Sequence, residues 1–408
     1  MSSITVNTAS NNGTLMRDSS KALSVWNDIF ALLFVSGLNN YNEYQIIFWP
    51  ITFMFFALTF INAYINKRKL TIFFVWAIIF GTYCILTGLW TNYPAPYRSL
   101  AIVMVRITLT LCFTSLYVSD EKKAHTLLYG FLIGALVLAV RIMIYTPLDD
   151  FGTVRLGKAI GLNVNSVGAS MLWGAIICLY LSHKNRLLLI LFLFLSIFAF
   201  LTGSKKVFFL FFLVIAVFFL DKIDKPEKII YLVPLILAIY LIYYASFNNA
   251  YLYNIIGHRI EIFFQVMADP DNANERGSTY VRMDLINIGL DVFLQKPITG
   301  HGLGSFQALN KYHTYAHNNY VELLACTGII GTVLYYIMSV SLMIKTTAIR
   351  MAKDKRITIF LLFMLVQLIQ DVGAVRFYGE LNAITLAVTY SMVSICLTNR
   401  APSLDSER

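Results

Sequence analysis

Twelve long apolar stretches leave this chain few ways to fold. A helix that crosses hydrocarbon needs about 20 apolar residues, and it satisfies its backbone hydrogen bonds internally. Only 13% of the residues are charged, about half of the share usual in soluble domains. The sequence therefore predicts an all-α polytopic membrane protein with about 12 transmembrane helices, and it excludes a soluble domain. The stretches cover residues 24–38, 45–65, 70–89, 99–118, 124–145, 164–182, 187–203, 207–221, 228–246, 318–344, 357–372 and 378–397.

Basic residues concentrate in alternate connectors between these stretches. Five connectors and the two chain ends hold more than half of the 32 Lys and Arg residues. Because cytoplasmic loops carry an excess of Lys and Arg, these connectors and both termini are predicted to be cytoplasmic. Residues 1–408 then form a single transmembrane domain, and the long polar segment 247–316 faces outward between the ninth and tenth helices. The net charge of +10 is explained by this topology, so no nucleic-acid partner is predicted.

Residues able to hold a metal or a cofactor are not grouped in the sequence. The five cysteines lie far apart in apolar stretches without a CxxC pair, which favours neither disulfides nor zinc. Asp269-Pro270-Asp271 is typical of a turn, and Glu43 stands alone as an outward carboxylate. The glycines of 300–304 follow no predicted strand, so a nucleotide-binding loop is not indicated. We therefore predict no metal and no cofactor.

Two adjacent lysines open one of the most apolar helices. Lys205 and Lys206 follow the short turn 202–204 at the outward end. A helix N-terminus offers free N–H groups and a positive dipole, and two added ammonium groups suit a phosphate ligand. The alternative is that both lysines snorkel towards lipid headgroups.

Other outward cations also lie near predicted helix ends. Arg282 opens a predicted helix over 281–294, behind Ser278 and Thr279 as candidate caps, and could make bidentate phosphate contacts. The alternative for Arg282 is a surface pair with Asp284 or Glu275. Arg376 is predicted either to belong to the same phosphate site as these cations or to form an ion pair with Asp371. Arg106 lies inside a stretch and is predicted to face the bundle interior, either to bind a ligand or to support the helices.

His317 lies where the polar segment re-enters the membrane. A neutral imidazole at such a boundary can accept a proton from a hydroxyl near neutral pH. Glu322 is five residues further on, roughly 140° around a helix, so it is a poor direct partner for the ring. The alternative is an interfacial histidine in a belt of tyrosines.

The sequence resembles the O-antigen polymerase and O-antigen ligase superfamily (Wzy and WaaL) over roughly residues 155–376. Lys205 stands where many relatives carry arginine, which keeps the charge but loses bidentate recognition. The resemblance rests on Arg155 with Gly161-Leu162-Asn163-Val164-Asn165, on Leu201-Thr202-Gly203-Ser204-Lys205-Lys206, on Arg282, and on Pro297-Ile298-Thr299-Gly300-His301-Gly302-Leu303-Gly304-Ser305-Phe306 followed by His317-Asn318-Asn319-Tyr320-Val321-Glu322-Leu323-Leu324 and Gly328-Ile329-Ile330-Gly331.

This resemblance implies a GT-C-like membrane enzyme of the bacterial inner membrane, with 247–316 as a large periplasmic loop. It implies metal-independent, inverting transfer between undecaprenyl-diphosphate-linked glycans, in which His317 activates the acceptor hydroxyl. The implied diphosphate-binding residues are Lys205, Lys206, Arg282, Arg376 and Arg155, and the implied supporting residues are Asn318, Tyr320, Asn163 and Asn165.

The resemblance leaves the acceptor open. The Asn163-Val164-Asn165 turn and the run from His317 to Tyr320 look more like polymerases, which extend a glycan on a second lipid diphosphate. The alternative is a ligase that moves the glycan to lipid A core. A flippase should place its polar groups near the midplane of the bilayer, whereas here they gather at the outward ends. A chain-length regulator is a further candidate partner.

Overall fold

The computed structural model describes residues 8–38, 45–151, 154–158, 160–220, 230, 232–269 and 277–399. Their regular structure is helical. The helices are α1 (Thr8–Gly37), α2 (Gln45–Ile65), α3 (Ile72–Leu86), α4 (Pro94–Tyr117), α5 (Glu121–Tyr145), α6 (Val164–Leu181), α7 (Leu188–Leu201), α8 (Lys205–Leu220), α9 (Leu232–Asn248), α10 (Ala250–Leu252), α11 (His258–Ala268), α12 (Gly277–Gln295), α13 (Ser305–Leu309), α14 (Asn319–Met351), α15 (Thr358–Asp371) and α16 (Glu380–Thr398).

The polytopic all-helical architecture predicted from the apolar stretches is confirmed, and each of the twelve stretches contains a helix. Among the described residues, seven helices are long and apolar enough to cross a membrane. A full count of about twelve crossings therefore stays a prediction. The seven helices are Gln45–Ile65, Ile72–Leu89, Pro94–Tyr117, Glu121–Tyr145, Val164–Leu181, Asn319–Met351 and Glu380–Thr398.

Basic connectors meet at one end of the helix bundle. The Arg68 guanidinium donates to the carbonyl oxygen of Tyr117 at 3.3 Å. The Arg356 guanidinium, from the connector between α14 and α15, lies 3.7 Å from the carboxylate of Glu121, which begins α5 directly after the connector from α4. These basic connectors lie together at one end of the bundle, which the sequence predicts to be cytoplasmic. The opposite end is therefore the one predicted to face outward.

A glycine-rich turn fixes the helix that follows the polar segment. The His301 N–H donates to the Ala325 carbonyl at 3.0 Å, and the Gly302 N–H donates to that of Cys326 at 2.8 Å. Helix α14 breaks at Gly328, where φ is +62°. A Cβ atom on Gly300, which also has positive φ, would lie 2.5 Å from the Gly328 nitrogen. The turn thus clamps α14 just beyond its first two turns.

Cysteine labelling in intact cells tests the orientation. All five native cysteines are buried, so they should give little background. Ser278 and Ala352 are exposed and lie on predicted opposite sides. We expect an impermeant thiol reagent to label Ser278→Cys before lysis and Ala352→Cys only after lysis. The reverse pattern would overturn the topology.

Candidate active site

A cavity of ≈560 Å³ opens among the predicted outward ends of several helices. Its wall carries five cationic side chains and one histidine. Glu380 is the one carboxylate among the described lining residues, and it is paired with Arg106 of α4. The cavity therefore has a strong excess of positive charge. The cations are Lys205, Lys206, Arg259, Arg282 and Arg376, and the histidine is His317.

The turn before α8 places both lysines at the cavity. Gly203 adopts φ +58°, and a Cβ atom there would lie 2.4 Å from the Ile255 carbonyl oxygen, so the tight turn requires glycine. The Lys205 ammonium donates to the Thr279 hydroxyl at 2.7 Å and lies 5.1 Å from the centre of the Phe263 ring. Lys205 therefore reaches the wall of the cavity formed by α11 and α12 and is not directed into lipid.

Arg282 also lines the cavity, although its helix starts earlier than predicted. Helix α12 begins at Gly277, so the prediction that Ser278 and Thr279 cap it from outside is wrong: both lie in its first turn. Thr279 instead accepts the hydrogen bond from Lys205. The surface pair of Arg282 with Asp284 is not formed, because the Asp284 carboxylate lies 2.7 Å from the Lys311 ammonium. Glu275 lies outside the described residues.

His317 faces the same cavity from the segment that leads into α14. Its backbone is left-handed, with φ +54°, which is uncommon for a residue other than glycine. Its ring centre lies 4.1 Å from that of Tyr315. Burial, together with Arg282 and Lys206, lowers the pKa of His317 to about 4. The imidazole is therefore neutral at pH 7 and able to accept a proton.

Glu322 fixes the backbone beside His317 although it does not reach the ring. Its carboxylate accepts a hydrogen bond from the Ala316 N–H at 2.7 Å, and its side chain is buried. Asn318 caps α14 by accepting from the Val321 N–H at 3.1 Å. The two contacts hold the unusual conformation at residue 317 from both sides. Sequence spacing excluded a contact with the ring but gave no signal for this backbone contact.

The segment after α15 brings Arg376 to the cavity. The Asn319 side-chain oxygen accepts from the backbone N–H groups of Arg376 at 2.8 Å and Phe377 at 3.0 Å. The Arg376 guanidinium donates to Gln370. Asp371 accepts instead from Asn319 and Tyr336. Within the described part of the chain, the alternative ion pair between Arg376 and Asp371 is therefore not formed.

The remaining predicted residues have structural contacts. The Asn163 side chain caps α6 by accepting from the Asn165 N–H at 3.0 Å, and both asparagines line the cavity. The Tyr320 hydroxyl donates to the Leu368 carbonyl at 3.0 Å, away from the cavity. Arg155 lies just behind the wall, where its guanidinium donates to the Thr202 carbonyl at 2.8 Å.

Two contacts of the site could not be predicted from the sequence. Arg259 lines the cavity from the start of α11, and no motif in the sequence singled it out. Arg106 forms an ion pair with Glu380 and lies 5.3 Å from the centre of the Trp49 ring. Arg106 therefore connects α4 to the start of α16 at the cavity edge, as expected of an arginine that faces the bundle interior.

Closely spaced cations have consequences for their protonation. Burial, followed by Arg259 and Arg282, lowers the pKa of Arg155 to about 10. Burial and Arg282 also lower the pKa of Arg259. Like charges at this spacing destabilise one another, so a bound anion would offset both the repulsion and the cost of burying the charges.

In the described part of the chain, no group of three or more His, Cys, Asp or Glu side chains could hold a metal ion. Glu43 and Asp271 lie outside the described residues.

Comparison with known families agrees with the motifs. Residues 189–336 match a family model described as Wzy_C, O-Antigen ligase. This segment contains the two lysines, Arg259, Arg282 and His317. Over this segment, the resemblance to the O-antigen polymerase and ligase superfamily is therefore confirmed. No curated protein matches the chain.

Proposed function

We propose that this protein is a membrane glycosyltransferase that polymerises undecaprenyl-diphosphate-linked oligosaccharide repeats of an O-antigen, capsule or exopolysaccharide at the periplasmic face of the inner membrane. The observation that carries the proposal is a neutral histidine among five cations in one cavity. A diphosphate leaving group needs fixed positive charge, and the acceptor hydroxyl that displaces it from the anomeric carbon needs a base. The Wzy_C match supports the same class of enzyme.

In the proposed reaction the acceptor hydroxyl attacks the anomeric carbon of the donor glycan. His317 takes the hydroxyl proton as the new C–O bond forms, and the bond from the anomeric carbon to the diphosphate oxygen breaks. The electron pair leaves with the diphosphate, whose developing charge is stabilised by Arg282 and Lys205. Attack on the face opposite the leaving group inverts the configuration at the anomeric carbon.

The shape of the cavity suits a lipid-linked donor. Apolar side chains from the bundle, including Leu38, Leu138 and Trp173, form part of the wall beside the cations. An isoprenoid chain can lie against such a surface while its diphosphate reaches the basic wall. The cavity opens at the ends of the helices, which supports surface chemistry over a flippase with a midplane site.

A ligase is the second candidate, because the matched family is described as O-Antigen ligase. The test is conversion of a purified lipid-linked repeat, with and without lipid A core. Longer lipid-linked glycan formed without lipid A core supports the polymerase. Product formed only when lipid A core is added would assign a ligase, and no product under either condition would contradict both.

We expect the two pH profiles of the reaction to differ. The acid limb of kcat/KM reports the free enzyme, in which the pKa of His317 is about 4, so this limb should fall well below pH 6. Bound diphosphate offsets the repulsion from Arg282 and Lys206 and raises that pKa, so the limb of kcat should lie at higher pH. Lys206→Met should move the kcat/KM limb upward. Coincident limbs above pH 6.5 that Lys206→Met leaves in place would contradict His317 as the base.

Activity should survive chelation of divalent ions. The fixed cations supply the charge that a metal supplies in many phosphate-releasing enzymes. We therefore expect the conversion rate of purified protein to be unchanged in excess EDTA. Loss of activity that added magnesium or manganese restores would contradict this, and would return Glu43, Asp269 and Asp271 as candidate ligands.

A further inference from the structure

The two adjacent lysines reach opposite walls of the cavity. Consecutive residues of a helix are about 100° apart. Lys205 reaches α12 through its hydrogen bond to Thr279. Lys206 extends towards the segment between α15 and α16, where a Cβ atom added to Gly373 would lie 3.5 Å from the Lys206 Cδ. One pair of neighbours in the sequence therefore marks two distinct surfaces.

The first surface is purely cationic, and we call it the phosphate wall: Lys205, Arg259 and Arg282, with Arg155 behind them. Besides burial, Arg282 lowers the pKa of each of the other three groups, so the four lie close together. Arg155 Nη2 and Arg259 Nε are buried without a hydrogen-bond partner among the described residues. Buried donors without partners are costly, which indicates that an anion with several acceptor oxygens completes this wall.

The second surface differs in chemistry, and we call it the amide wall: Lys206, Gln370, Arg376 and Asn382. All four line the cavity. Gln370 and Asn382 are 2% and 3% exposed, yet Gln370 Nε2 and Asn382 Oδ1 have no hydrogen-bond partner in the described part of the chain. The Gln370 donor and the Asn382 acceptor could hydrogen-bond with sugar hydroxyls. The two cations beside them, Lys206 and Arg376, could bind a second anion.

His317 joins the two walls. Besides burial, the charges that lower the pKa of its ring are Arg282 of the phosphate wall and Lys206 of the amide wall. In the proposed reaction the bond that breaks joins the anomeric carbon of the first sugar to a diphosphate oxygen. A base at the junction of the two walls lies where this bond would be. The first sugar of the donor would then lie on the amide wall.

We propose that the donor's first sugar is acidic, with a carboxylate such as that of a uronic acid bound by Arg376 and Lys206 and its hydroxyls bound by Gln370 and Asn382. This inference rests on the proposed function, because it takes the phosphate wall as the diphosphate site. The charge balance supports it: a diphosphate diester carries two negative charges, fewer than the five cations of the cavity. Arginine and a carboxylate form the strong bidentate pair that such a site favours.

Binding of matched probes tests the inference without turnover. The probes are geranylgeranyl-diphosphate-linked glucose and galactose and their 6-carboxylate counterparts, with affinity for the purified protein measured by native mass spectrometry. We expect the wild-type protein to bind an acidic probe roughly ten- to hundredfold more tightly than its neutral partner. Equal affinity for acidic and neutral probes would overturn the acidic sugar and leave the proposed function intact.

Variants assign the preference to the amide wall. Arg376→Gln should remove the preference for the carboxylate while the neutral probe still binds, and Lys206→Met tests the same wall independently of Arg376. Arg259→Gln should weaken acidic and neutral probes by the same factor, because it acts on the diphosphate. Lys158→Gln, an exposed charge, is the control and should change neither. A preference that survives both Arg376→Gln and Lys206→Met would overturn the inference, and a protein that binds none of the probes would overturn it together with the proposed function.

Discussion

Replacing His317 with alanine is expected to abolish long-chain polysaccharide in a deletion strain that expresses the variant at the wild-type level. The ring faces the cavity among the cations and is neutral at pH 7. Loss of a positioned base typically costs about 10²–10⁴-fold in rate. Because α14 is held by Asn318 and Glu322 rather than by the imidazole, the protein should still insert into the membrane. A normal polysaccharide ladder would reduce His317 to an interfacial residue.

Three other histidines of the outward segment serve as matched controls. His258 and His313 do not line the cavity, so alanine at either position should leave the ladder near normal. His301 is different, because its ring donates to the Val292 carbonyl at 3.0 Å and its N–H bonds to Ala325. His301→Ala should therefore cause partial loss by loosening the clamp on α14. Equal losses from all four variants would show that general damage to the segment explains the effect.

Arg282→Ala is expected to have the second largest effect. Arg282 belongs to the phosphate wall, and its charge lowers the pKa of His317, Lys205 and Arg259. Removing one preorganised charge donor at a developing anion costs about 10²–10³-fold in rate. Arg282→Lys should recover part of that loss, because it restores the charge without the bidentate geometry. The measurement is the conversion rate of purified protein on a lipid-linked repeat.

Lys311→Gln is the control for Arg282. Lys311 is an exposed cation of the same segment that pairs with Asp284 on α12, outside the cavity. Its loss should leave the rate close to the wild-type value. An Arg282→Ala variant with full activity would contradict the role of this residue in holding the leaving group.

Much of the fold followed from simple regularities of the sequence. Hydrocarbon imposes long apolar helices, so the twelve stretches predicted the helices over them. Lys205 and Lys206 were singled out because two adjacent charges at the start of a very apolar helix are uncommon and suit a phosphate ligand. His317 was found because the sequence places it at the re-entry of the chain.

Other parts of the site depended on contacts between distant segments. Arg259 lies in a helix with no motif of its own, and only the packing of α11 against α12 brings it to Lys205 and Arg282. The pairing of Arg106 with Glu380 joins residues far apart in the sequence. Gln370 and Asn382 are ordinary polar residues near helix ends. That Gln370 Nε2 and Asn382 Oδ1 are buried without a partner among the described residues is evident only in three dimensions.

The central claim is that His317 removes the acceptor proton in the step that releases the diphosphate. A single-turnover experiment tests it most directly, with purified protein loaded with lipid-linked repeat and quenched at short times. The account predicts that wild-type protein joins two repeats, inverts the donor linkage and releases undecaprenyl diphosphate in equal amount. His317→Ala should bind the repeat with near wild-type affinity and release almost none. Release and joining by His317→Ala at the wild-type rate would contradict the account.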